Sequence, residues 1–292
     1  MKRVNALLLA GILTIGALTG CGAKADTTGA DTAAGETETE TEAAAPAETT
    51  TIKIAASPTP HAEILEQAKP ILAKEGINLE IKVFEDYVIP NEVVESGEFD
   101  ANYMQHLPYL DSFNEENGTH IVSVGGIHYE PFGIFPGTKD SLDDIEDGDT
   151  IAIPNDTTNE ARALLLLQDN GLITLEDGAG LTATINQIAE NPKNIKFVEL
   201  EAAQVARVVN ETSYVVLNGN YALEAGYSVA KDALAYESSD SDAATTYVNI
   251  IGVKEGNENN AAILRLVEVL KSDEIKDYIK STYNGSVIPF ED

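Results

Sequence analysis

The folded part of the chain begins where residues 51–72 read TIKIAASPTPHAEILEQAKPIL. Thr51–Ala56 is rich in β-branched and small apolar residues and predicts a strand. Thr59 and Pro60 predict a helix N-cap followed by a first-turn proline, and Pro70 predicts a kink or an early end to that helix. The apolar face of the helix comprises Ile64, Leu65, Ala68, Ile71 and Leu72. The segment therefore reads as one strand followed by one helix.

The same alternation continues towards the C-terminus. Helical spacing predicts helices around residues 163–167, with Gly171 as the C-terminal cap, and around residues 263–270. Further predicted strands cover residues 79–84, 121–124, 132–135, 150–153, 195–200, 214–217 and 247–253. This order predicts an α/β architecture with mostly parallel sheets, divided into two lobes. In such folds ligands bind at loops that follow the strands, often between domains.

The N-terminal region has the features of an export signal. Lys2 and Arg3 precede an apolar stretch of about 13 residues, which is too short for the roughly 20 that span a bilayer. Leu18-Thr19-Gly20-Cys21 is typical of a lipobox, so we expect a signal peptide over residues 1–20 and lipidation of Cys21. The alternative is a chance free cysteine. Cys21 is the only cysteine in the sequence, so no disulfide can form within the chain.

Residues 21–50 combine low hydrophobicity with acidic charge, which predicts a lipidated N-terminus followed by a disordered acidic linker. The whole chain carries 49 acidic and 18 basic residues, a net charge of −31. Such a surface repels phosphate backbones, so we expect no nucleic-acid partner. A solvated, repulsive surface is the simpler interpretation of this charge, and attraction of a cationic partner is the alternative.

The sequence lacks the motifs of common enzymes. It has no G-x-S-x-G elbow, no P-loop, no G-x-G-x-x-G and no cysteine nucleophile after Cys21. The residues therefore predict a protein that is not an enzyme and that needs no cofactor. The histidines show no i, i+4 pair, so we expect no metal. A metal site built from His106, His128 and a carboxylate is the alternative.

The loop that follows the predicted strand at 150–153 is a candidate anion site. If Thr158 or Asn159 is the N-cap, Arg162 lies in the first helical turn, where a cation opposes the helix dipole. Free backbone N–H groups at that end favour an anion. Both features are explained if Arg162 binds a ligand carboxylate. The alternative is a surface arginine paired with Glu160 or with another of the many carboxylates.

Two further groups of residues are candidates for ligand contact. Asn218 follows a predicted strand, where it is either a turn residue or a ligand contact. Asn249 lies inside an apolar strand and needs a hydrogen-bonding neighbour, because a buried unpaired amide costs about 1–3 kcal/mol. The third predicted loop, residues 100–106, together with Tyr87, brings aromatic, thioether and polar groups together. Core packing is the alternative for Tyr87 and Met104.

At these residues the sequence resembles the NlpA lipoprotein family of methionine-binding proteins that serve ABC importers. The matching segments are Asp86–Asn91, Asp100–Tyr109 with its Gln-His-x-Pro-Tyr core, Glu130–Gly133, Pro154–Arg162, Asn191–Asn194 and Tyr247–Asn249. The resemblance covers nearly all of residues 51–292. It implies a two-lobed type II periplasmic-binding-protein fold with the ligand in the inter-lobe cleft. Lobe 1 would be residues 51–133 plus 249–292, and lobe 2 residues 134–248.

The resemblance also implies residue roles and partners. Arg162 would hold the ligand carboxylate, and Asn218 and Asn249 would bind its carboxylate and ammonium ends. The chain departs from the family at Met104, where the family usually has phenylalanine. The thioether pocket would be lined by Tyr87, Met104 and His106. The implied function is capture of methionine, or of a D-isomer, sulfoxide or methionine dipeptide, for delivery to an ABC permease and its ATPase. We expect a monomer, lipid-anchored on the extracytoplasmic face of a Gram-positive type of membrane. A surface adhesin on the same fold, or a receptor for another small amino acid or a metal, is the alternative.

Overall fold

The structure is a computed structural model that describes residues 49–291. The predicted signal peptide, Cys21 and residues 22–48 of the predicted linker lie outside the described residues. Within residues 49–291, no helix is long and apolar enough to cross a membrane.

The described residues alternate between strands and helices. The strands are β1 (Thr50–Ala56), β2 (Ile77–Val83), β3 (Ala101–His106), β4 (Ile121–Tyr129), β5 (Gly133–Pro136), β6 (Thr150–Pro154), β7 (Thr174–Leu175), β8 (Ile188–Glu190), β9 (Lys196–Leu200), β10 (Tyr214–Leu217), β11 (Ala235–Tyr236), β12 (Val248–Lys254) and β13 (Ile288–Pro289). The α-helices are α1 (Glu63–Ala73), α2 (Ile89–Glu95), α3 (Leu107–Asn117), α4 (Thr157–Asp169), α5 (Ala202–Val205), α6 (Gly219–Glu224), α7 (Val229–Asp232), α8 (Ala243–Thr246), α9 (Ala261–Leu270) and α10 (Asp273–Tyr283).

The first sheet has six strands in the order β13-β4-β12-β3-β1-β2. Ile52 and Ile54 of β1 are buried because apolar residues alternate along the strand and face the core. The amphipathic helices α1 and α9 cover this core with Ile64 and Leu266, both fully buried. α9 begins at a true cap, since the Asn260 side chain accepts hydrogen bonds from the first free N–H groups.

The second sheet has five strands in the order β11-β5-β10-β6-β9. Leu164 and Leu167 of α4 are buried on one of its faces, and Val205 and Val229 are buried on the other. The chain passes between the two sheets twice, through residues 130–132 and through residues 237–247. The two-lobed fold is therefore confirmed, while the lobe boundaries stay a prediction.

The expectation of mostly parallel sheets is wrong. In the two large sheets of residues 49–291, four strand pairs are parallel and five are antiparallel. The reason is the double passage between lobes. β12 returns from the second sheet and enters the first between β3 and β4, antiparallel to both of these neighbours.

The start of the first helix also differs from the prediction. Thr59 has extended backbone angles inside a short turn, and α1 begins only at Glu63. Pro70 neither starts nor ends α1, which continues to Ala73. Pro70 lies in the last turn of α1, so the backbone hydrogen bond that proline cannot donate is missing only at the end of the helix.

The predicted end of α4 is confirmed. Gly171 adopts φ +72°, and its N–H donates to the carbonyl of Gln168 at 2.8 Å. The N–H of Leu172 donates to the carbonyl of Leu167 at 3.0 Å. Together these bonds form a Schellman motif, which requires a left-handed residue and so favours glycine at position 171.

Candidate ligand-binding site

A small cavity lies between the two sheets. Its walls are built from both lobes and from the first crossover segment. The lining residues are Tyr87, Met104, Gln105, His106, Tyr109, Glu130, Asn159, Arg162, Asn218, Gly219, Asn220 and Asn249. All six residues predicted to contact a ligand therefore line one cavity: Tyr87, Met104, His106, Arg162, Asn218 and Asn249.

Residues 101–106, predicted to be a loop, form the central strand β3 instead, and all six are buried. The sequence did not indicate this strand, because its amide side chains are polar residues typical of loops. In the structure these amides are satisfied by hydrogen bonds within one network. Gln105 Nε2 donates to Asn91 Oδ1 at 2.7 Å, and Asn91 Nδ2 donates to Gln105 Oε1 at 2.9 Å. Asn102 Nδ2 joins the same network through Asn91 Oδ1 at 2.8 Å. This paired network fixes β3 against α2 and so positions Met104 and His106.

The N-cap of α4 is Asp156, not Thr158 or Asn159 as predicted. The Asp156 carboxylate accepts from the backbone N–H of Asn159 at 3.1 Å. Arg162 therefore lies in the second turn, and the predicted opposition between its charge and the helix dipole does not arise. Aspartate is as good a cap as asparagine, so a cap at Asp156 agrees with the general preference.

Arg162 is a buried cation that pairs with Glu237 and not with Glu160. Its Nε donates to Glu237 Oε1 at 2.8 Å, and its Nη2 donates to Glu237 Oε2 at 2.6 Å and to the Glu130 carbonyl at 3.0 Å. The guanidinium also lies 4.1 Å from the centre of the Tyr247 ring. Burial by itself would lower the pKa of Arg162, but Glu237 raises it above the ordinary value, so the cation persists at neutral pH.

Glu160 is not the partner of Arg162, because the two side chains have different partners. The partner is one of the other carboxylates that the sequence left open, Glu237, although the arginine is buried and not on the surface. Glu160 Oε1 accepts from the backbone N–H of Ile185 at 2.9 Å. Among residues 49–291, Nη1 of Arg162 hydrogen-bonds to no protein atom, although Nε and Nη2 are both occupied. One edge of the guanidinium is thus available to a ligand in the cavity.

His106 is a neutral donor. Its Nδ1 accepts from the backbone N–H of Tyr109 at 3.1 Å, so the ring proton lies on Nε2, which donates to Asn159 Oδ1 at 3.1 Å. Burial, assisted by the nearby charge of Arg162, lowers the pKa of His106 to about 3. This histidine spans the cavity from β3 to α4 and carries no charge at neutral pH.

The asparagines of the second lobe present polar atoms that no protein group satisfies. Asn218 Nδ2 donates to Asn159 Oδ1 at 2.8 Å, while Asn218 Oδ1 is buried without a partner in the described part of the chain. Asn220 Oδ1 accepts from the Tyr87 hydroxyl at 2.5 Å, while Asn220 Nδ2 is buried without a partner there. Such orphaned atoms are rare in native structures and indicate a ligand.

Asn249 lies on β12 and is buried, as its position in an apolar strand predicted. Its Oδ1 accepts from His61 Nε2 at 2.9 Å. The amide oxygen is therefore occupied, and the Nδ2 group remains as the donor that Asn249 can offer to the cavity.

The other end of the cavity is apolar. Met104 packs with Tyr109 and Phe113, and Tyr87 completes this cluster. The Tyr87 ring lies 5.5 Å from that of Tyr109 and 4.9 Å from that of Tyr221. A polar end and an apolar end in one cavity match an amphiphilic small molecule.

A histidine cluster lies beside the polar end, but it is not the predicted one. His61, His128 and Glu130 are all buried, with candidate ligand atoms within 4.8 Å of one another, and His106 is not a member. His128 Nε2 lies 2.7 Å from Glu130 Oε1, and its Nδ1 is hydrogen-bonded to the Tyr103 hydroxyl. Burial lowers the pKa of His61 to about 4 and that of His128 to about 3.

Comparison with known proteins decides the family. The family model for NlpA lipoproteins matches residues 52–291. The chain belongs to the NlpA lipoprotein family. The matched residues include both large sheets and every lining residue of the cavity.

Relatives of this NlpA lipoprotein include proteins with solved structures. A lipoprotein from Ruminococcus gnavus is 76% identical, with a TM-score of 0.83, over 83% of this chain and 100% of that one. A nutrient-binding protein from Burkholderia cenocepacia, solved bound to methionine, is 41% identical with a TM-score of 0.78, over 82% of this chain and 100% of that one. The methionine-binding lipoprotein MetQ of Bacillus subtilis is 41% identical over 242 residues, which are 82% of this chain and 87% of the relative.

Several cavity residues were missed in the sequence of this NlpA lipoprotein. Glu130 and Asn159 lie inside segments that carry the family resemblance, and their burial is what marks them as functional candidates. Asn220 follows Asn218 by two residues and shares its turn. No sequence pattern marks Glu237 as a site residue, because it is one of 49 acidic residues and its arginine partner is distant in the sequence.

Proposed function

We propose that this chain is a lipid-anchored, extracytoplasmic receptor that captures methionine or a close analogue and delivers it to an ABC importer. The observation that carries the proposal is the single cavity with Arg162, Asn218 and Asn249 at its polar end and Met104 and Tyr87 at its apolar end. The proposal is supported by two relatives, the methionine-binding lipoprotein of Bacillus subtilis and the nutrient-binding protein of Burkholderia cenocepacia that was solved bound to methionine.

The cavity chemistry is sufficient for useful affinity. A charge-assisted hydrogen bond to Arg162 contributes about 1.5–3 kcal/mol, and burial of a methionine-sized side chain contributes about 1.5–3 kcal/mol more. Several such contacts, less the cost of ordering the ligand, reach the roughly −8 kcal/mol of micromolar binding.

Contacts between the lobes support capture by closure. The Thr157 hydroxyl of α4 donates to Glu116 Oε1 of α3 at 2.7 Å. The Tyr221 hydroxyl of α6 donates to the Glu85 carbonyl at 3.2 Å. These bonds join the two lobes, and each would break if the lobes separated about the two crossover segments. A ligand that contacts both lobes would therefore favour the closed form, which is the shape offered to a permease.

The N-terminal residues supply the rest of the proposal. Lipidation of Cys21 would hold a monomeric receptor at the outer face of the membrane, with residues 22–50 as an acidic spacer. We assign the chain no catalytic role. The Thr- and Glu-rich composition of the spacer favours a cell with one membrane.

Calorimetry with the purified protein tests the ligand. The panel is L-methionine, D-methionine, methionine sulfoxide, glycyl-methionine and L-leucine. We expect micromolar or tighter binding of a methionine form and at least tenfold weaker binding in Arg162→Lys, because an ammonium cannot keep both Glu237 bonds and also reach the ligand. Arg265→Lys is the matched control, since Arg265 makes a two-bond pair with Glu75 on the surface. Absence of heat with every methionine form would refute the proposal.

A further inference from the structure

Two histidines and one glutamate form a buried cluster beside the polar end of the cavity. His61, His128 and Glu130 are 1%, 0% and 5% exposed, and their candidate ligand atoms lie within 4.8 Å of one another. Within residues 49–291, this is the one group of three or more histidine, cysteine or carboxylate side chains with such a spacing. Histidine and glutamate are common ligands of divalent transition metals, so the cluster has the chemistry of a metal site.

The three side chains of the cluster come from three separate segments of the first lobe and the first crossover. His61 lies in the short turn that precedes α1, His128 is the penultimate residue of β4, and Glu130 begins the first crossover. β4 is paired with β12, and this register places Asn249 opposite His128. A sheet and a turn packed against it thus hold the cluster in place, which is the rigid support that a metal site needs.

The spacing of the ligand atoms is close to that of tetrahedral zinc. Bonds of about 2.0–2.2 Å from zinc to nitrogen and oxygen hold the ligand atoms roughly 3.3–3.6 Å apart. Glu130 Oε1 lies 3.5 Å from His61 Nε2 and 2.7 Å from His128 Nε2. Asn249 Oδ1 lies 2.9 Å from His61 Nε2, so an amide oxygen is close to the same point. The two shorter distances must widen by roughly 0.4–0.6 Å to reach the zinc spacing, which small side-chain rotations supply.

Both imidazoles can offer Nε2 to a metal. His61 Nε2 donates to Asn249 Oδ1, while His61 Nδ1 is buried without a hydrogen-bond partner in the described part of the chain. The ring can therefore carry its proton on Nδ1 instead, which frees Nε2 and breaks no bond at Nδ1. Nδ1 of His128 is hydrogen-bonded to the Tyr103 hydroxyl, and this bond directs Nε2 towards Glu130. Such an outer hydrogen bond is the usual support of a histidine ligand.

Glu130 supplies the negative charge of the cluster. Among residues 49–291, no lysine or arginine side chain hydrogen-bonds to its carboxylate, since Arg162 contacts the Glu130 carbonyl and pairs its own charge with Glu237. A divalent cation would compensate this buried carboxylate. Two imidazole nitrogens beside one carboxylate favour zinc and similar transition metals over calcium and magnesium, which prefer oxygen ligands.

We propose that His61, His128 and Glu130 together bind one zinc ion or a chemically similar divalent transition metal. The fourth position of the ion lies next to Asn249 Oδ1. The metal-free protein keeps the hydrogen bonds described above, and the ion replaces those between the ligand atoms. Glu130 lines the cavity, so an ion reaches the cluster from there. This inference goes beyond the proposed function and does not rest on it, because zinc binding is measured without any amino acid.

The proposed site differs from what the sequence predicted. The sequence favoured no metal, and its alternative combined His128 with His106. His106 is not a member of the cluster, because it lies across the cavity and its Nε2 donates to Asn159. His61 takes its place, from a segment 67 residues before His128 in the chain.

Calorimetry with zinc chloride alone tests the site. The purified protein is dialysed against EDTA and then into buffer with excess calcium, which occupies surface carboxylates but competes poorly for imidazole nitrogen. We expect one zinc ion per chain, bound with micromolar or tighter affinity.

His128→Gln removes one ligand of the proposed site. We expect zinc to bind this variant at least about 100-fold more weakly, because loss of a ligand should cost more than the 10- to 100-fold that is typical of a lost outer hydrogen bond. His120→Gln is the matched control, since His120 is an exposed histidine 3.5 Å from the Glu95 carboxylate, and it should keep the zinc affinity of the unaltered protein. Equal zinc binding by His128→Gln and the unaltered protein would overturn the inference, as would zinc binding that disappears in excess calcium.

Two measurements on the unaltered protein decide the question even if His128→Gln does not fold. Cobalt(II) in place of zinc should give the strong visible absorption of a four-coordinate ion, whereas cobalt on surface carboxylates keeps the weak spectrum of a six-coordinate ion. Zinc should also raise the free energy of unfolding in urea, because a ligand that binds only the native form stabilises that form. A six-coordinate cobalt spectrum, or unfolding that zinc leaves unchanged, would overturn the inference.

Discussion

Arg162 and Glu237 form a two-bond ion pair that links the two crossover segments. Arg162 Nε lies 2.8 Å from Glu237 Oε1, and Nη2 lies 2.6 Å from Oε2. The same Oε2 accepts from the Tyr129 hydroxyl at 2.7 Å and from the Phe132 backbone N–H at 2.9 Å. Glu237 begins the second crossover, Tyr129 directly precedes the first, and Phe132 is the last residue of the first. The pair therefore fixes the guanidinium at the point where the lobes meet.

Glu237→Gln removes the charge that balances the buried Arg162. We expect a loss of about 3 kcal/mol in the free energy of unfolding, since one partner of a buried pair is left without its counter-charge. Methionine affinity should fall at least tenfold because the guanidinium loses its fixed orientation. Urea unfolding and calorimetry measure the two effects.

Glu75→Gln is the control for that change. Glu75 makes the same two-bond pair with Arg265, at 2.7 and 2.8 Å, but both side chains are more than a third exposed. Solvent screens this pair, so we expect little change in unfolding and none in binding. Equal effects of the two substitutions would show that burial of the Arg162 pair is unimportant.

Gly219→Ala tests the close approach between α6 and Glu130. The added methyl group would lie 2.6 Å from Glu130 Cβ, so either the carboxylate or the helix must shift. We expect destabilisation of about 1–3 kcal/mol, as for other overpacked sites, and methionine binding at least tenfold weaker. Gly180→Ala is the control, because residue 180 is exposed and a Cβ there meets nothing within 4 Å. Wild-type affinity in Gly219→Ala would show that the position of Glu130 is irrelevant to the ligand.

Met104 should determine how strictly the apolar end selects its ligand. Met104 is 2% exposed and packs with Tyr109 and Phe113, but its flexible side chain can adapt to more than one ligand shape. We expect Met104→Phe to retain L-methionine binding and to increase the preference for L-methionine over D-methionine at least threefold, since a rigid ring limits alternative poses. Calorimetry with both isomers gives the ratio, and an unchanged or smaller ratio would contradict the prediction.

The sequence revealed the lobes and the cavity residues better than the strands that carry them. The apolar runs of β1 and β10 and the cap at Gly171 follow from local rules, and they were predicted. β3 was not, because Asn102 and Gln105 look like loop residues until the amide network with Asn91 is known. The antiparallel entry of β12 depends on a return from the other lobe, which no local pattern encodes.

The ion pair of Arg162 shows that local sequence patterns also fail to identify partners within the site that are distant in the chain. The sequence predicted that Arg162 binds a ligand carboxylate, and the alternative was a pair with Glu160 or with another of the many carboxylates, none of which it could single out. The structure pairs Arg162 with Glu237, 75 residues later in the chain. In a sequence with 49 acidic residues, a distant partner cannot be found by spacing, and only the fold identifies it.

The buried histidines predict how stability depends on pH. Burial lowers the pKa of His128 to about 3 from 6.5, so between these values the unfolded chain binds a proton that the folded chain does not. Stability from this residue is therefore lost as pH falls from 6.5 towards 3, by up to about 1.4 kcal/mol per pH unit. His61 and His106 act in the same direction, with folded pKa values of about 4 and about 3. Glu130 acts oppositely, because burial raises its pKa and its contribution is lost as pH rises.

The slope of stability against pH isolates the contribution of His128. We expect His128→Gln to lower the free energy of unfolding at pH 7, because the bonds to Tyr103 and Glu130 are altered. Between pH 6.5 and pH 4 we expect the free energy of unfolding of this variant to fall less steeply with pH, and the difference in slope should correspond to about one bound proton. Comparing slopes removes the contributions that both proteins share, including the relief of acidic self-repulsion at low pH. His120→Gln is the control substitution, since the His120 side chain is 63% exposed. Urea unfolding at half-unit pH steps measures the slopes, and parallel lines for His128→Gln and the unaltered protein would show that His128 is not held neutral by the fold.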